Sequence, residues 1–523
     1  MVTGGPKPRG GPSLTDIEQE IGEIARGAGV GLGGNIVFYG ISYLFGILVA
    51  RQVGAEQYGL YTLGVTAVSL FSRVTIVGLD RGLMRFASIS RGEQRGSALR
   101  HVAVLALVVG ALTGTLGALI LWLAPDWVLR TLRWQEQSGL RPLLPLLAVT
   151  VPAMTLTGIA IAGTQAFRTM RYRALVTNVF QPLLKLLAAL LLIPLLGPQA
   201  LAPVLAFILS QVLGTLLALY FLARLARSIP PLGDPEQALG SKLARFSAPL
   251  FLSNVIEYLN GRTELIVLGM FLTADFSGIY NASIRLAGLG LIVLTAFNAI
   301  FSPMISDLHH RHKTGNLATL FKLVSRWIVA VAMPIFLAQM LFAPRLMSLF
   351  GPEFVGGASA LRLLSLGQMV NLATGSVGIM LIMSGRTDVT FLNSLLTLVL
   401  ALILDFLLVP RLGLTGAATA GALVLAVVNL VRLAEVWALL RIHPFSLPYL
   451  KPFAAALPAA LAGLAWNRWL PLQSLLYLAA ACIAVGLVYL LALLALRLDE
   501  GDMAILKALR ARLIDQPLRK SNL

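Results

Sequence analysis

Four cations, Arg73, Lys185, Arg262 and Arg285, stand inside stretches that are otherwise apolar. Around Arg262 the polar residues recur at helical spacing. Asn254, Glu257, Tyr258, Gly261 and Glu264 form one stripe, and Arg262 lies one turn from Tyr258. Residues 28–50 carry a matching uncharged stripe, Asn35, Tyr39, Ser42 and Tyr43. A guanidinium can grip phosphate oxygens in a bidentate manner, and an ammonium attracts them as a point charge. The four cations therefore suit an anion such as a phosphate. Glu257 and Glu264, with Asn254, Tyr258, Asn35 and Tyr39 around them, suit the lining of a polar cavity and the coupling of an ion. A plainer reading stands beside this one: Arg262 pairs with Glu257 or Glu264, while Arg285 and Lys185 bond backbone carbonyls.

Other constellations carry less. His309, His310 and His312 lie with Arg311 in a basic stretch and are not read as a metal site. The single cysteine, Cys482, sits in an apolar run and can form no internal disulfide. There is no phosphate-binding loop, zinc motif or nucleophile elbow, so neither a cofactor nor ATP hydrolysis is expected, and the chain does not read as an enzyme.

The elements that must position these residues follow from composition. Of 523 residues, 57% are apolar and 12% charged, and the mean hydropathy is +0.83. Soluble chains carry about 25% charge, so this chain has too little to coat a water-facing surface. A helix needs about 20 apolar residues to cross the hydrocarbon core. Fourteen such spans are predicted: 28–50, 59–80, 102–123, 142–164, 174–194, 202–223, 247–272, 278–303, 322–343, 359–383, 388–409, 414–438, 452–470 and 474–496. They are twice the length of β-barrel strands and do not alternate. The predicted fold is an all-α polytopic membrane protein.

Residues 1–13 are rich in Gly and Pro and read as a tail, and 14–26 as a short amphipathic helix. No cleavable signal peptide is evident. With the N-terminus placed in the cytoplasm, 29 of the 41 basic residues fall on that side and 8 on the other. This positive-inside bias predicts both termini in the cytoplasm and an even number of spans. It also accounts for most of the net charge of +18 without nucleic acid. By these boundaries Arg285 lies in the outer half of the membrane, Arg262 just outside the centre, Lys185 near the middle and Arg73 in the inner half.

The chain repeats itself. At an offset of 219 residues, Asn35 falls on Asn254, Tyr39 on Tyr258, Ile47 on Ile266, Ala55 on Ala274, Gly59 on Gly278 and Tyr61 on Tyr280. Residues 192–197 resemble 408–413 at an offset of 216. Spans 1–6 thus recur as spans 7–12. Six is even, so the two lobes insert in the same orientation, related by an axis along the membrane normal. The expected organisation is an N-terminal tail (1–27), a first lobe (28–223), an inter-lobe loop (224–246), a second lobe (247–440), spans 13 and 14 (441–496), and a C-terminal tail (497–523).

The segments that carry the repeat resemble a known family. Arg51-Gln52-Val53-Gly54-Ala55-Glu56-Gln57-Tyr58-Gly59-Leu60-Tyr61, then Gly78-Leu79-Asp80 with Arg85, is similar to the start of the polysaccharide transporters. These belong to the multidrug/oligosaccharidyl-lipid/polysaccharide exporter superfamily. Gly278-Ile279-Tyr280-Asn281-Ala282 with Arg285, Phe350-Gly351-Pro352-Glu353-Phe354 and Pro410-Arg411-Leu412-Gly413-Leu414-Thr415-Gly416-Ala417-Ala418 also fit. Asp405 departs from the pattern, which often has Asn there, and reads as an interfacial carboxylate at the outer end of span 11 rather than a proton site.

The resemblance implies a V-shaped, two-lobed flippase for undecaprenyl-linked oligosaccharide. The implied location is a bacterial-type inner membrane, with a polysaccharide polymerase and glycosyltransferases as partners. Two other classes stand against it. A cation-coupled drug antiporter would want a cavity dominated by carboxylates. A membrane glycosyltransferase would want a large extramembrane loop, whereas the longest predicted outer loop, 124–141, holds only Asp126 and Glu136 as acids.

Overall fold

The computed structural model describes residues 14–232, 239–469 and 474–496. The predicted tails at 1–13 and 497–523 and the middle of the inter-lobe loop lie outside the described residues. Every described element is helical, with no strand among them. Lipid supplies no hydrogen-bond partners, so the backbone of each apolar run must satisfy itself, and a helix does so within one segment.

Two helices are double length. Leu14–Thr75 runs for 62 residues and turns at Gly54 (φ 81°, ψ 173°). Thr387–Leu440 runs for 54 and turns at Gly413 (φ 59°, ψ −132°). Both φ values are ones an L side chain resists. Each double helix covers two predicted spans, 1 with 2 and 11 with 12. Among the described residues ten helices are long and apolar enough to cross a membrane, these two included. The pair Pro352–Ala373 and Val377–Met383, bent by 43°, makes an eleventh and covers span 10. Span 7 falls short because it is broken: Leu239–Asn260 stops, and Thr263–Phe271 restarts after Gly261 and Arg262. Span 8 is likewise divided into Ala274–Ala287 and Gly290–His310. Each of the fourteen predicted spans therefore falls on a helix or on two consecutive helices.

The structure departs from the expected loop after span 2. The chain turns at Val77 and Gly78, both at positive φ, and Leu79–Gly92 forms a separate helix. Leu79, Leu83 and Ala87 are buried at four-residue spacing, while Arg81, Arg85 and Arg91 take other faces. Amphipathic spacing, rather than hydropathy, forms this helix.

The apolar interior is divided by lobe. One buried cluster lies within residues 79–243 and another within 293–442. A third joins both halves, bringing Phe45, Val49 and Leu63 together with Leu268, Ile279 and Phe354. Spans 13 and 14 pack on span 9 through Ala455, Ala459, Ala481 and Val485 against Val329, Met333 and Leu337.

Candidate functional site

The two lobes meet at the end that carries Gly54 and the 124–141 segment, the end predicted to face outward, and again where Leu239–Asn260 packs on Leu79–Gly92, a Cβ on Gly78 striking the Ser247 carbonyl oxygen. A Cβ on Gly59 would strike the Ala274 carbonyl oxygen, and a Cβ on Gly278 would strike that of Ala55. These four residues are the repeat's own counterparts, so the contact is close to self-symmetric. Small residues at such crossings let two helix backbones touch. Hydrogen bonds surround the crossing. Trp134 Nε1 donates to Ile266 O at 3.0 Å, and Gln137 Nε2 to Leu272 O at 2.7 Å. The Ala55 N–H, freed by the turn at Gly54, donates to Glu353 Oε2 at 2.8 Å. Asn281 Nδ2 donates to Tyr58 Oη and Thr62 Oγ1, each at 3.1 Å.

Just inside this seam lie two of the four predicted cations. Arg285 Nη1 donates to Ser42 O at 3.1 Å, and Tyr43 Oη donates to the Arg285 carbonyl. Arg285 Nε is buried without a partner. Lys185 Nζ stands 4.2 Å from the centre of the Phe45 ring, a cation–π contact. Arg285 acts on Lys185 electrostatically, so the two repel. Span 1 thus holds cations from spans 8 and 5, one from each lobe.

The other two cations act on tyrosines of the same region. Tyr61 feels both Arg285 and Arg262. Tyr258 feels both Arg262 and Arg73. Arg262 occupies the break in span 7 (φ −140°, ψ −2°). A cation at mid-bilayer costs about 2.5–3.5 kcal/mol on insertion scales, and such residues face partners or water-filled space.

The spacing of the span 7 stripe predicts one common face, but its residues go to different partners. Glu257 pairs with Arg81 rather than Arg262, at 3.2 Å, and its side chain is 75% exposed. Asn254 Nδ2 donates to Asp80 Oδ1 at 3.3 Å and Tyr258 Oη to Thr66 O at 2.8 Å, so both tie span 7 to span 2 and the helix after it. Glu264, beyond the break, turns into the second lobe toward Gly421. The break at Gly261 interrupts the helical period, so 257 and 264 leave the common face that spacing implied. Asn35 accepts from Asn178 Nδ2 at 2.9 Å, inside the first lobe, and Tyr39 packs edge-on against Phe38.

Asp405 is a correction as well. It is fully buried, at 0% exposure, rather than interfacial. Sequence reasoning also missed a polar cluster in spans 11 and 12. Asn393 Nδ2 donates to Glu435 Oε2 at 2.6 Å, and Arg432 interacts with Glu435. Arg432 and Glu435, three residues apart inside an apolar run, were the available signal.

The described helices make a multi-pass membrane protein of two helical lobes. It resembles the solved structure of the lipid II flippase MurJ in an inward closed conformation, with a TM-score of 0.70 at 13% identity over 92% of this chain and 99% of that one. The family described as polysaccharide biosynthesis protein matches residues 24–309. The chain belongs to that family. Two curated relatives match in part. One is a probable low-salt glycan biosynthesis flippase of Haloferax volcanii, 22% identical over 38% of this chain and 42% of its own length. The other is a capsular polysaccharide biosynthesis protein of Staphylococcus aureus, 28% identical over 32% of this chain and 43% of its own length. The chain thus spans less than half the length of the curated relatives it matches.

Proposed function

We propose that the protein flips an undecaprenyl-pyrophosphate-linked oligosaccharide from the cytoplasmic to the outer leaflet by alternating access of its two lobes, 28–223 and 247–440. The observation that supports this reading is Arg285, bonded across the lobes to Ser42 O with its Nε buried and unpartnered, and Lys185 held against Phe45 of the same span; Arg262 and Arg73 are assigned to the same path. A lipid pyrophosphate brings negative charge through a low-dielectric path, and spaced cations offset its desolvation at successive depths. Arg285, with its Nε unpartnered, and Arg262, at the break, are the phosphate contacts. Lys185 adds charge at the first, and Arg73 stands at the entrance. Asn254 and Tyr258 hold spans 2 and 7 together, while Asn35 and Tyr39 line the first lobe's side of the path.

In this reading the packed end faces outward and both termini lie in the cytoplasm of a bacterial-type cell, at the inner membrane. A polysaccharide polymerase receives the product, and glycosyltransferases supply the substrate. The test is flipping of a fluorescent polyprenyl-pyrophosphate oligosaccharide in vesicles holding the purified protein. Arg262→Gln and Arg285→Gln should each slow flipping while leaving the amount of folded protein near normal. Flipping at an undiminished rate in both variants would sink the assignment.

A further inference from the structure

Two segments at the packed end occupy the same place in the repeat. Ala124-Pro125 and Ala343-Pro344 are matched at the offset of 219 that relates spans 1 and 7. Each pair opens a short helix, Pro125–Thr131 and Ala343–Ser348. Each helix buries an apolar side chain at the same position, Val128 in one and Met347 in the other. The chain then turns at a positive φ, 53° at Arg133 and 138° at Gly351. Just past the turns stand Trp134 and Glu353, again matched at the same offset.

Both side chains cross to the other lobe. The helix Thr263–Phe271 of span 7 ends at Leu272, and the last carbonyls of a helix have no N–H ahead of them. Trp134 Nε1 donates to Ile266 O at 3.0 Å, and Gln137 Nε2 to Gly269 O at 3.3 Å and Leu272 O at 2.7 Å. Gly269 leaves room for this: a Cβ there would stand 2.6 Å from Trp134 Nε1. In the first lobe the helix of span 2 starts after the turn at Gly54, and Glu353 Oε2 accepts the Ala55 N–H at 2.8 Å. Ala55 is the counterpart of Ala274, two residues past Leu272. The first segment thus brings donors to a helix end rich in carbonyls. The second brings a carboxylate to a helix start rich in N–H groups. Each has the sign that its end of the helix dipole favours.

We infer that segments 124–141 and 343–357 are the two halves of a reciprocal clasp: each lobe shuts the packed end by capping a main-chain turn of the other, and that end opens only when both let go. The halves are unequal. Trp134 and Gln137 are buried, at 1% and 5% exposure, whereas Glu353 is exposed and water competes for its bond. The first segment is therefore the stronger half. The link to transport rests on the function proposed above. Alternating access needs one end shut while the other is open, and the clasp sets how much of the protein is shut at this end.

The test reads the seam itself in the full-length protein held in lipid discs, without substrate. Ser277 lies fully buried beside Gly278, and its hydroxyl has no partner. Ser277→Cys in a Cys482→Ser background is therefore a single thiol probe, followed by its rate of modification with a charged maleimide. One net hydrogen bond shifts a closed–open equilibrium by about two- to tenfold. Trp134→Phe, which keeps the ring but not the donor, should speed modification by about that factor. Glu353→Ala should speed it less, the two together should multiply, and Glu353→Gln, which keeps an oxygen acceptor, should fall between Glu353→Ala and the parent. Arg141→Gln is the control. It breaks the 2.9 Å ion pair with Asp126 inside the first segment without touching the second lobe, and should leave the rate unchanged. An unchanged rate in Trp134→Phe and Glu353→Ala, or an equal rise in Arg141→Gln, would overturn the clasp. No substrate is present, so that result speaks against the clasp whatever the protein carries. Faster modification in a protein that flips no lipid counts instead against the proposed transport function.

Discussion

Arg285 combines a donated bond to the Ser42 carbonyl, an accepted bond from Tyr43 and a buried Nε with no partner. The first two fix its position, and the third leaves it a bond to give. A charge-assisted hydrogen bond contributes about 1.5–3 kcal/mol. Arg285→Gln should therefore lower the flipping rate about 10- to 100-fold, measured in vesicles against equal amounts of reconstituted protein. Lys185→Gln, which keeps the stem near Phe45 but removes the charge, should act in the same direction more weakly. Glu257 gives the opposite expectation. Its ion pair with Arg81 is half exposed, and such pairs contribute about 0–1 kcal/mol. Glu257→Gln should leave flipping within about fivefold of the unmutated protein, and a complete loss would return Glu257 to the path. At this scale the types of the site residues were legible in the sequence but their partners were not. Spacing put Glu257 and Glu264 on one face because it assumed an unbroken helix through Gly261. Asp405 was read as interfacial because its place near the end of span 11 says nothing about which helices cover it.

Glycine does the work of articulation among the helices. Gly54 and Gly413 turn the two double helices at φ values that favour it. Gly59 and Gly278 let the lobes touch backbone to backbone. Gly59→Ala or Gly278→Ala should loosen the packed end by about 1–3 kcal/mol, the usual cost of overpacking. A cysteine placed at Asn281, buried beneath that seam, should then be labelled several-fold faster by a membrane-impermeant reagent. Unchanged labelling would mean that the seam is not a gate. The spans themselves were legible because twenty apolar residues have few other uses. The helix Leu79–Gly92 was not, since three of its cations made it read as a loop. Its apolar residues recur every four positions, a signal that average hydropathy hides.

Across the whole molecule the repeat foretold a symmetric architecture, and the twin contacts of Gly59 and Gly278 follow its offset. The membership of the polysaccharide biosynthesis protein family rests on residues 24–309, which include the first lobe, the break at Arg262 and Arg285. Orientation is open to a direct check. Cysteines placed singly at Glu136 and Gln94 should label from opposite sides of intact cells, Glu136 from outside. Labelling of both from the same side would undo the span count. The central claim is transport of a lipid-linked anion along the inter-lobe cations. It is tested most directly by measuring how fast a fluorescent polyprenyl-pyrophosphate oligosaccharide becomes accessible to a quencher outside vesicles, with the unmutated protein beside the Arg262→Gln/Arg285→Gln double variant. The account predicts rapid quenching of the inner pool with the unmutated protein and a rate near that of protein-free vesicles with the double variant. Equal rates in the two preparations would contradict it.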